Sequence, residues 1–428
     1  MINQEIIRHR RYCQIINEIN GSDQHLVVGI DVGKDKHHAF MGTATGISLY
    51  RKLIFENNLN GFSRLITTAD QIKAQNGLTK VVFGLEPTGN YHKPLASHLI
   101  GCDRDVVLVA GQAVKHNRQV LNGRWDKNDT KDAANVADLV SRGRCLFYDV
   151  PSQEIVELRA LLSLRRRLKK EEHSLRMRIR NGLLAQYFPE LDRFYNACES
   201  ENLAIVRWCL NPDKIVAMEF DHFFKMVTRT RRGIAQKLRL EKIYRAAIDS
   251  VGCAMGPAAE FEAELLVEKI SQVRGQLHDT EELIEEICLT FSEYSYLMTI
   301  PGFGSYVSAK VLPVIADPFR FDNRKQVIKL AGYDLCANRS GKTSDQAVPV
   351  ISKNGNGELR YVLYIAANVA ASRTEPFRTY FTKMLQGRER ERGIKTKMRV
   401  KLAAKMLVIA WTLMKKKEVF DPDHLNID

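Results

Sequence analysis

The chain has 428 residues, too many for one ordinary hydrophobic core, so two or three domains are expected. With 45% hydrophobic and 27% charged residues it reads as a soluble globular protein, and no run of about 18 apolar residues offers a membrane span. A net charge of +14 and a pI near 9.3 point to a polyanionic partner, most simply nucleic acid, because each phosphate neutralised by Lys or Arg releases condensed counterions.

The opening segment, MINQEIIRHRRYCQIINEIN, is broken by charges and has no signal-peptide core. Cys13, Cys102, Cys145, Cys198, Cys209, Cys253, Cys288 and Cys336 are scattered, with no C-x-x-C pair. That spacing disfavours a zinc ribbon or a disulfide framework and suits a reducing, cytoplasmic setting. Residues 26–56 read as three strands, LVVGID, HHAFMGTA and ISLYRKLIF, joined by turns into a meander. A helix over NGFSRLITTADQIKAQ follows, then a buried strand KVVFGLE ending at Glu86. A helix from about Tyr91, a strand DVVLVAG and a helix after Asp129 complete the region. Strands alternating with helices after a meander indicate a mixed α/β sheet over residues 1–150.

Residues 151–293 change character. Leu161, Leu168 and Leu175 recur every seven residues, and Ile179 and Leu183 continue the stripe. A second arm spaces Leu266, Ile270, Val273, Leu277, Ile284 and Ile287 in a 4-3 pattern, interrupted by Thr280. Such arms form either a dimerising coiled coil or two helices packed within one domain. Residues 189–255 lie between them as an insertion with mixed helical segments and a basic run, KMVTRTRRGIAQK. From residue 294 to 428 a mainly α C-terminal domain is expected. Its LMTIPGFGSYVSAKVLPVIAD stretch resembles a helix-hairpin-helix turn whose backbone N–H groups could hold a DNA phosphate; a plain helix connection is the simpler reading. Residues 378–417 are strongly basic and helical in pattern, either tracking a nucleic-acid backbone or forming a solvated helix face.

Four carboxylates are placed for chemistry. Asp31 ends the first strand, Glu86 ends the buried strand, and Asp129 and Asp132 share one helix face at i, i+3 in KNDTKDAANVADLV. Neighbouring strands could bring Asp31 and Glu86 together, with the acidic helix face beside them. Four gathered carboxylates repel unless a cation sits among them, and Mg²⁺ suits oxygen ligands. Taken singly, each has an ordinary explanation: Asp31 and Glu86 as strand ends, Asp129 as a helix cap, Asp132 as a partner of the helix dipole. Further along, Ser340 and Gly341 lie on a loop rich in Gly, Ser and Asn, flanked by Arg339 and Lys342. A serine hydroxyl there could attack a phosphodiester and conserve its bond energy in a phosphoserine link. A simple Ser-Gly turn is the alternative.

Together these blocks resemble a DEDD-type insertion-sequence transposase of the IS-one-ten family. The likeness rests on GIDVGKDKHHAF, GLEPTGNYHKPLA and KNDTKDAANVADLV in the N-terminal part. In the C-terminal part it rests on TIPGFGSYVSAKVL, FRFDNRKQVIKLAGY, RSGK and ISKNGNGELRYVLYIAA. The resemblance implies an RNase H/RuvC-like α/β domain whose acidic tetrad is Asp31, Glu86, Asp129 and Asp132, holding Mg²⁺. It also implies a C-terminal domain whose nucleophile is Ser340, brought to the tetrad across subunits. A homodimer or homotetramer, donor and target DNA and a noncoding bridge RNA are the implied partners, in the bacterial cytoplasm and on the nucleoid. The stretch after RSG, KTSDQAVPV, lacks a glycine found there in the family, which makes Ser344 a rival nucleophile. Three other classes compete: a RuvC-like junction resolvase or nuclease using water, an actin-like ATPase or sugar kinase, and a non-catalytic nucleic-acid scaffold. The ATPase reading lacks a second phosphate turn and an adenosine segment.

Overall fold

The computed structural model describes residues 2–122, 129–195, 200–228, 233–336 and 349–425. It divides into two compact units, Met1–Ser152 and Gln153–Asp428.

The first unit opens with helix α1 (Ile2–Glu18). Then come β1 (His25–Asp31), β2 (Lys36–Thr43), β3 (Ser48–Glu56), α2 (Leu59–Gln75), β4 (Lys80–Glu86), α3 (His92–Gly101), β5 (Asp105–Leu108), α4 (Gly111–Asn122), α5 (Asp129–Ser141) and β6 (Leu146–Phe147). The strands form one sheet in the order β3-β2-β1-β4-β5-β6. β1, β2 and β3 pair antiparallel as the expected meander, whereas β4 and β5 add parallel to β1. Asn58 starts α2 by accepting a hydrogen bond from the Gly61 N–H at 2.9 Å, supplying an otherwise unpaired helix donor with a partner.

Strand alternation divides the core in two. Leu26, Val28, Ile30, Phe83 and Leu85 face α2 and α3, burying Phe62, Leu65, Leu95 and Leu99. Val27 and Val82 face the other way, against Ile15 of α1, Ile19 just after it, and Val136 and Val140 of α5. A mixed sheet with helices on both faces, meander first and parallel strands after, fits an RNase H/RuvC-like domain. Helices α1 and α4 and strand β6 were not anticipated from the sequence.

In the second unit α6 (Gln153–Arg178) runs through a π-helical turn, Ile179–Leu184, into the short α7 (Ala185–Tyr187). Helices α8 (Ser200–Cys209), α9 (Pro212–Val216), α10 (Phe220–Val227) and α11 (Ile234–Ile248) lead to α12 (Pro257–Leu289). α6 and α12 pack antiparallel, joined across their length by Arg165–Glu281 and Glu172–Arg274 pairs. The expected stripe is buried at Leu168, Leu175, Ile179 and Leu183 and departs by one position only at the start of α6. Leu158 and Leu162 are buried and Leu161 only partly so, because a helix of 3.6 residues per turn drifts off a strict heptad. The second arm buries Leu266, Ile270, Val273, Leu277, Thr280 and Ile284, with Cys288 rather than Ile287 innermost at the end. Residues between the arms are a packed helical cap: Leu203, Val206, Ile215, Phe223, Leu240 and Ile243 share one core with Leu175 and Ile270.

The C-terminal part adds α13 (Ser292–Met298), α14 (Ser305–Ile315), α15 (Arg324–Leu330), a ladder of β7 (Leu335–Cys336) and β8 (Val350–Ile351), α16 (Gly357–Arg373), α17 (Glu375–Leu385) and α18 (Ile394–Lys416). Its core also takes in Leu158, Leu162 and Ile284 from the roots of the arms. At the α13–α14 turn Gly302 has φ +95°, and a Cβ there would lie 2.9 Å from Ala366 O and Ala370 Cβ. Close packing on α16 is therefore sufficient reason for that glycine. Among the described residues no helix is long and apolar enough to cross a membrane.

Candidate active site

Asp31 and Glu86 are direct register partners at the carboxyl ends of parallel strands β1 and β4, so both side chains leave the same face of the sheet. Two positions back, Gly29 and Gly84 are also partners. A Cβ on Gly29 would collide with the backbone of Ala133 and Ala137, and one on Gly84 with Val136 and Val140. Paired glycines thus let α5 lie directly on the strands that carry the carboxylates. The last turn of α5 leads to Gly143, beside Ile16 and the entry to β1, so its first turn lies toward Asp31 and Glu86. Asp129 is the first residue of that helix; its side chain is outside the described residues.

Asp132 is buried, and Arg118 of α4 holds it. The Arg118 Nε–H donates to Asp132 Oδ1 at 2.8 Å, and Nη2 pairs with the same oxygen. Asn117 adds a 2.8 Å bond to Asp138 Oδ2, tying α4 to α5 a second time. At its other end α4 begins at Gly111, where a Cβ would sit 2.9 Å from Glu86 Oε1. His38 on β2 is the register partner of Asp31 across the antiparallel pair and shares its face. Sequence reasoning missed Arg118 and the two strand glycines. Gly29 and Gly84 carried a usable signal, since glycine inside an apolar strand marks close backbone approach. Arg118 carried none.

Among the described residues no group of three or more His, Cys, Asp or Glu side chains is placed to hold a metal ion, a set that leaves out the Asp129 side chain. Asp31, Glu86 and Asp132 carry the oxygen donors that suit a hard divalent cation, and Asp31 and Glu86 stand at neighbouring strand ends, but these three described carboxylates do not by themselves form such a group.

In the second unit the expected nucleophile Ser340, its rival Ser344, and Arg339 and Lys342 lie outside the described residues. The two ends of their loop do not. Leu335 pairs with Ile351 and Cys336 with Val350, so the loop leaves from and returns to a two-strand ladder. Ser352 closes it further, donating N–H to Asp334 O at 2.7 Å and Oγ–H to Asp334 Oδ1 at 2.6 Å. Gly332, at φ +68°, and Gly355 pack backbone to backbone, leaving no room for a Cβ on Gly355. Asn356 caps α16 by accepting from the N–H of Glu358 and of Leu359. Glu358 pairs with Lys310 at 2.8 Å and with Arg166. Burial pushes the Glu358 carboxyl up, but Lys310 and Arg166 outweigh it and hold it below the ordinary glutamate range. The residues of ISKNGNGE are thus scaffold: they fix the root of the serine loop.

The mixed α/β sheet with helices on both faces fits the RNase H/RuvC-like class of DEDD domains. Residues 28–189 match the DEDD family model described as "Transposase", and residues 294–382 match the model described as "Transposase IS116/IS110/IS902 family". The chain is 23% identical over 402 residues to the "Insertion element IS116 uncharacterized 44.8 kDa protein" of Streptomyces clavuligerus, covering 92% of this chain and 96% of the relative. It is 22% identical over 406 residues to the "Transposase for insertion sequence element IS1111A" of Coxiella burnetii, covering 92% and 91%. The IS900 protein of Mycobacterium paratuberculosis is similar at 22% over 407 residues. The chain belongs to the IS110 family of DEDD transposases and is a transposase, an enzyme that acts on DNA. RuvC-like domains of this type generally work with a divalent metal.

Proposed function

We propose that this transposase cuts and rejoins DNA with Ser340 as nucleophile and with Asp31, Glu86, Asp129 and Asp132 holding Mg²⁺. The register pairing of Asp31 with Glu86 under α5 carries the acidic half of this reading. Bound there, Mg²⁺ would neutralise charge developing on the phosphodiester. Ser340 Oγ attacks phosphorus as the bond to one DNA oxygen breaks, and the serine proton passes to the leaving oxygen. A hydroxyl from the exchanged strand then reverses the step, so joining needs no ATP. The net charge of +14 suits donor and target DNA together with a bridge RNA. The proposed assembly is a homodimer or homotetramer in which one subunit's serine loop meets another's carboxylates, with the paired arms α6 and α12 serving as coiled-coil contacts. The α13–α14 turn and the basic α18 are proposed backbone contacts of helix-hairpin-helix and groove type.

The test is a denaturing gel with element-end DNA, RNA from the element flanks and Mg²⁺. Wild type should give a covalent protein–DNA adduct, Ser340→Ala none, and Asp31→Asn little cleavage with nucleic-acid binding retained. An adduct that persists in Ser340→Ala and vanishes in Ser344→Ala moves the nucleophile. Cleavage without any adduct would make the enzyme a water-using nuclease.

A further inference from the structure

Two cavities in the second unit are both lined by Gly357, the first residue of α16, and their other linings are of opposite kinds. One, of about 760 Å³, gathers Arg159, Arg166, Lys310 and Arg320 against a single carboxylate, Glu358. Arg159 donates from Nε and Nη2 to Pro313 O, and Arg320 from Nη2 to Val314 O, so the end of α14 braces both guanidinium groups in the wall. Lys310 and Arg166 flank Glu358. Carbonyl oxygens cancel no net charge and one carboxylate offsets one cation, so this cavity keeps a positive surplus. The other cavity, of about 270 Å³, is walled by Tyr333, Tyr361, Tyr364, Ile351 and Val400, with Arg360 and no carboxylate. Tyr333 is buried and donates its hydroxyl to Arg360 O at 2.8 Å, which fixes that ring. Tyr361 and Tyr364 share a face of α16 at i, i+3, and Tyr361 is 65% exposed. A single exposed ring is ordinary, but this one lines an aromatic cavity beside a cationic one.

We infer that the two cavities together bind one unpaired nucleotide of a DNA strand, a backbone phosphate in the cationic cavity and its base stacked among the tyrosines. An unpaired nucleotide carries an anion and a flat π face within reach of each other, whereas a duplex hides that face. The positive end of α16 lies between the cavities at Gly357 and favours the phosphate further. Every base has a π face, so stacking holds a strand without reading its sequence. DNA is the occupant because the enzyme acts on DNA, and moving a segment between DNAs leaves strand ends unpaired. Ile351, in the aromatic wall, belongs to the β7–β8 ladder, so a strand held here lies at the root of the loop that carries Ser340. The site stands on these linings and on DNA as substrate; it needs neither the proposed serine chemistry nor the proposed metal.

The experiment is fluorescence anisotropy of the full chain with four labelled probes of equal length: an oligothymidylate, an abasic deoxyribose-phosphate strand, an oligouridylate and a DNA duplex. Tyr361→Ala, an exposed helix position that tolerates the change, should weaken the oligothymidylate about 5–150-fold, the loss of one stacked base. It should leave the abasic strand and the duplex at their wild-type affinities, and Tyr361→Phe, which keeps the ring, should bind all four as wild type does. Arg166→Ala should weaken the oligothymidylate and the abasic strand alike and lower the salt slope by about 0.7, the share of one phosphate on a single strand. Equal effects of Tyr361→Ala on the oligothymidylate and the abasic strand, or none on either, overturn the base half. An unchanged salt slope in Arg166→Ala overturns the phosphate half. Weakening of the duplex as large as that of the single strand removes the requirement for an unpaired base. A loss confined to the oligouridylate makes this an RNA site and overturns the DNA assignment.

Discussion

The two candidate reactive regions are built on opposite plans. In the first unit the motif residues are themselves the proposed chemistry, and a sheet register fixes them: Asp31 stands opposite Glu86 because β1 and β4 pair residue for residue from His25–Lys80 onward. In the second unit the described motif residues are supports. Asp334, Ser352, Gly355, Asn356 and Glu358 knot the segment on which the loop of residues 337–348 starts and ends. A rigid strand end suits a group that must stay put against other carboxylates.

The sharpest way to break the contrast is Gly29→Val. Its side chain collides with the α5 backbone, so α5 must lift from β1, at a cost of about 3 kcal/mol or more. Hydrogen exchange should speed up in α5 and β1 and stay unchanged in β7, β8 and α16; a change spread equally over both units would erase the distinction. Next comes Glu358→Gln, which strips the buried Lys310 of its carboxylate. It should cost about 1 kcal/mol, the upper end for a partly exposed pair, seen as a lower denaturation midpoint and faster exchange around the loop root. Preserved exchange there would mean that the backbone knot alone holds the loop.

The smallest effect is on acid stability. The folded Glu358 carboxyl titrates below its unfolded value, so its contribution is complete above about pH 4.3 and fades as pH falls from there through the folded value. With Glu358 partly exposed the contribution is under about 1 kcal/mol, and the Glu358→Gln variant should lose that part of the acid dependence. An identical acid limb in both proteins would remove Glu358 from the account.

Much of the first unit was legible in the sequence because its signals are local. Strand alternation, the turn residues and the apolar strands ending in acid placed β1 to β5, α2, α3 and α5, each close to its observed limits. The arms were legible for the same reason, although the line of burial on α6 passes through Leu158 and Leu162 rather than Leu161, a one-residue error that a seven-residue count makes on a 3.6-residue helix. The insertion between the arms was not legible, since its helices are short and bury residues against partners about 60 residues away, Val206 and Ile270 in one core.

The sequence by itself determined which residue types stand at strand ends and on which helix face Asp129 and Asp132 fall, because those follow from the periods of strand and helix. It also determined membership in the transposase family, through the two matching family models. Only the tertiary structure decided that Asp31 and Glu86 are register partners, that two facing glycines admit α5 over them, and that Arg118 takes one oxygen of Asp132. Those are facts of pairing and close approach between segments far apart in the chain. Periodicity along one segment carries no information about them.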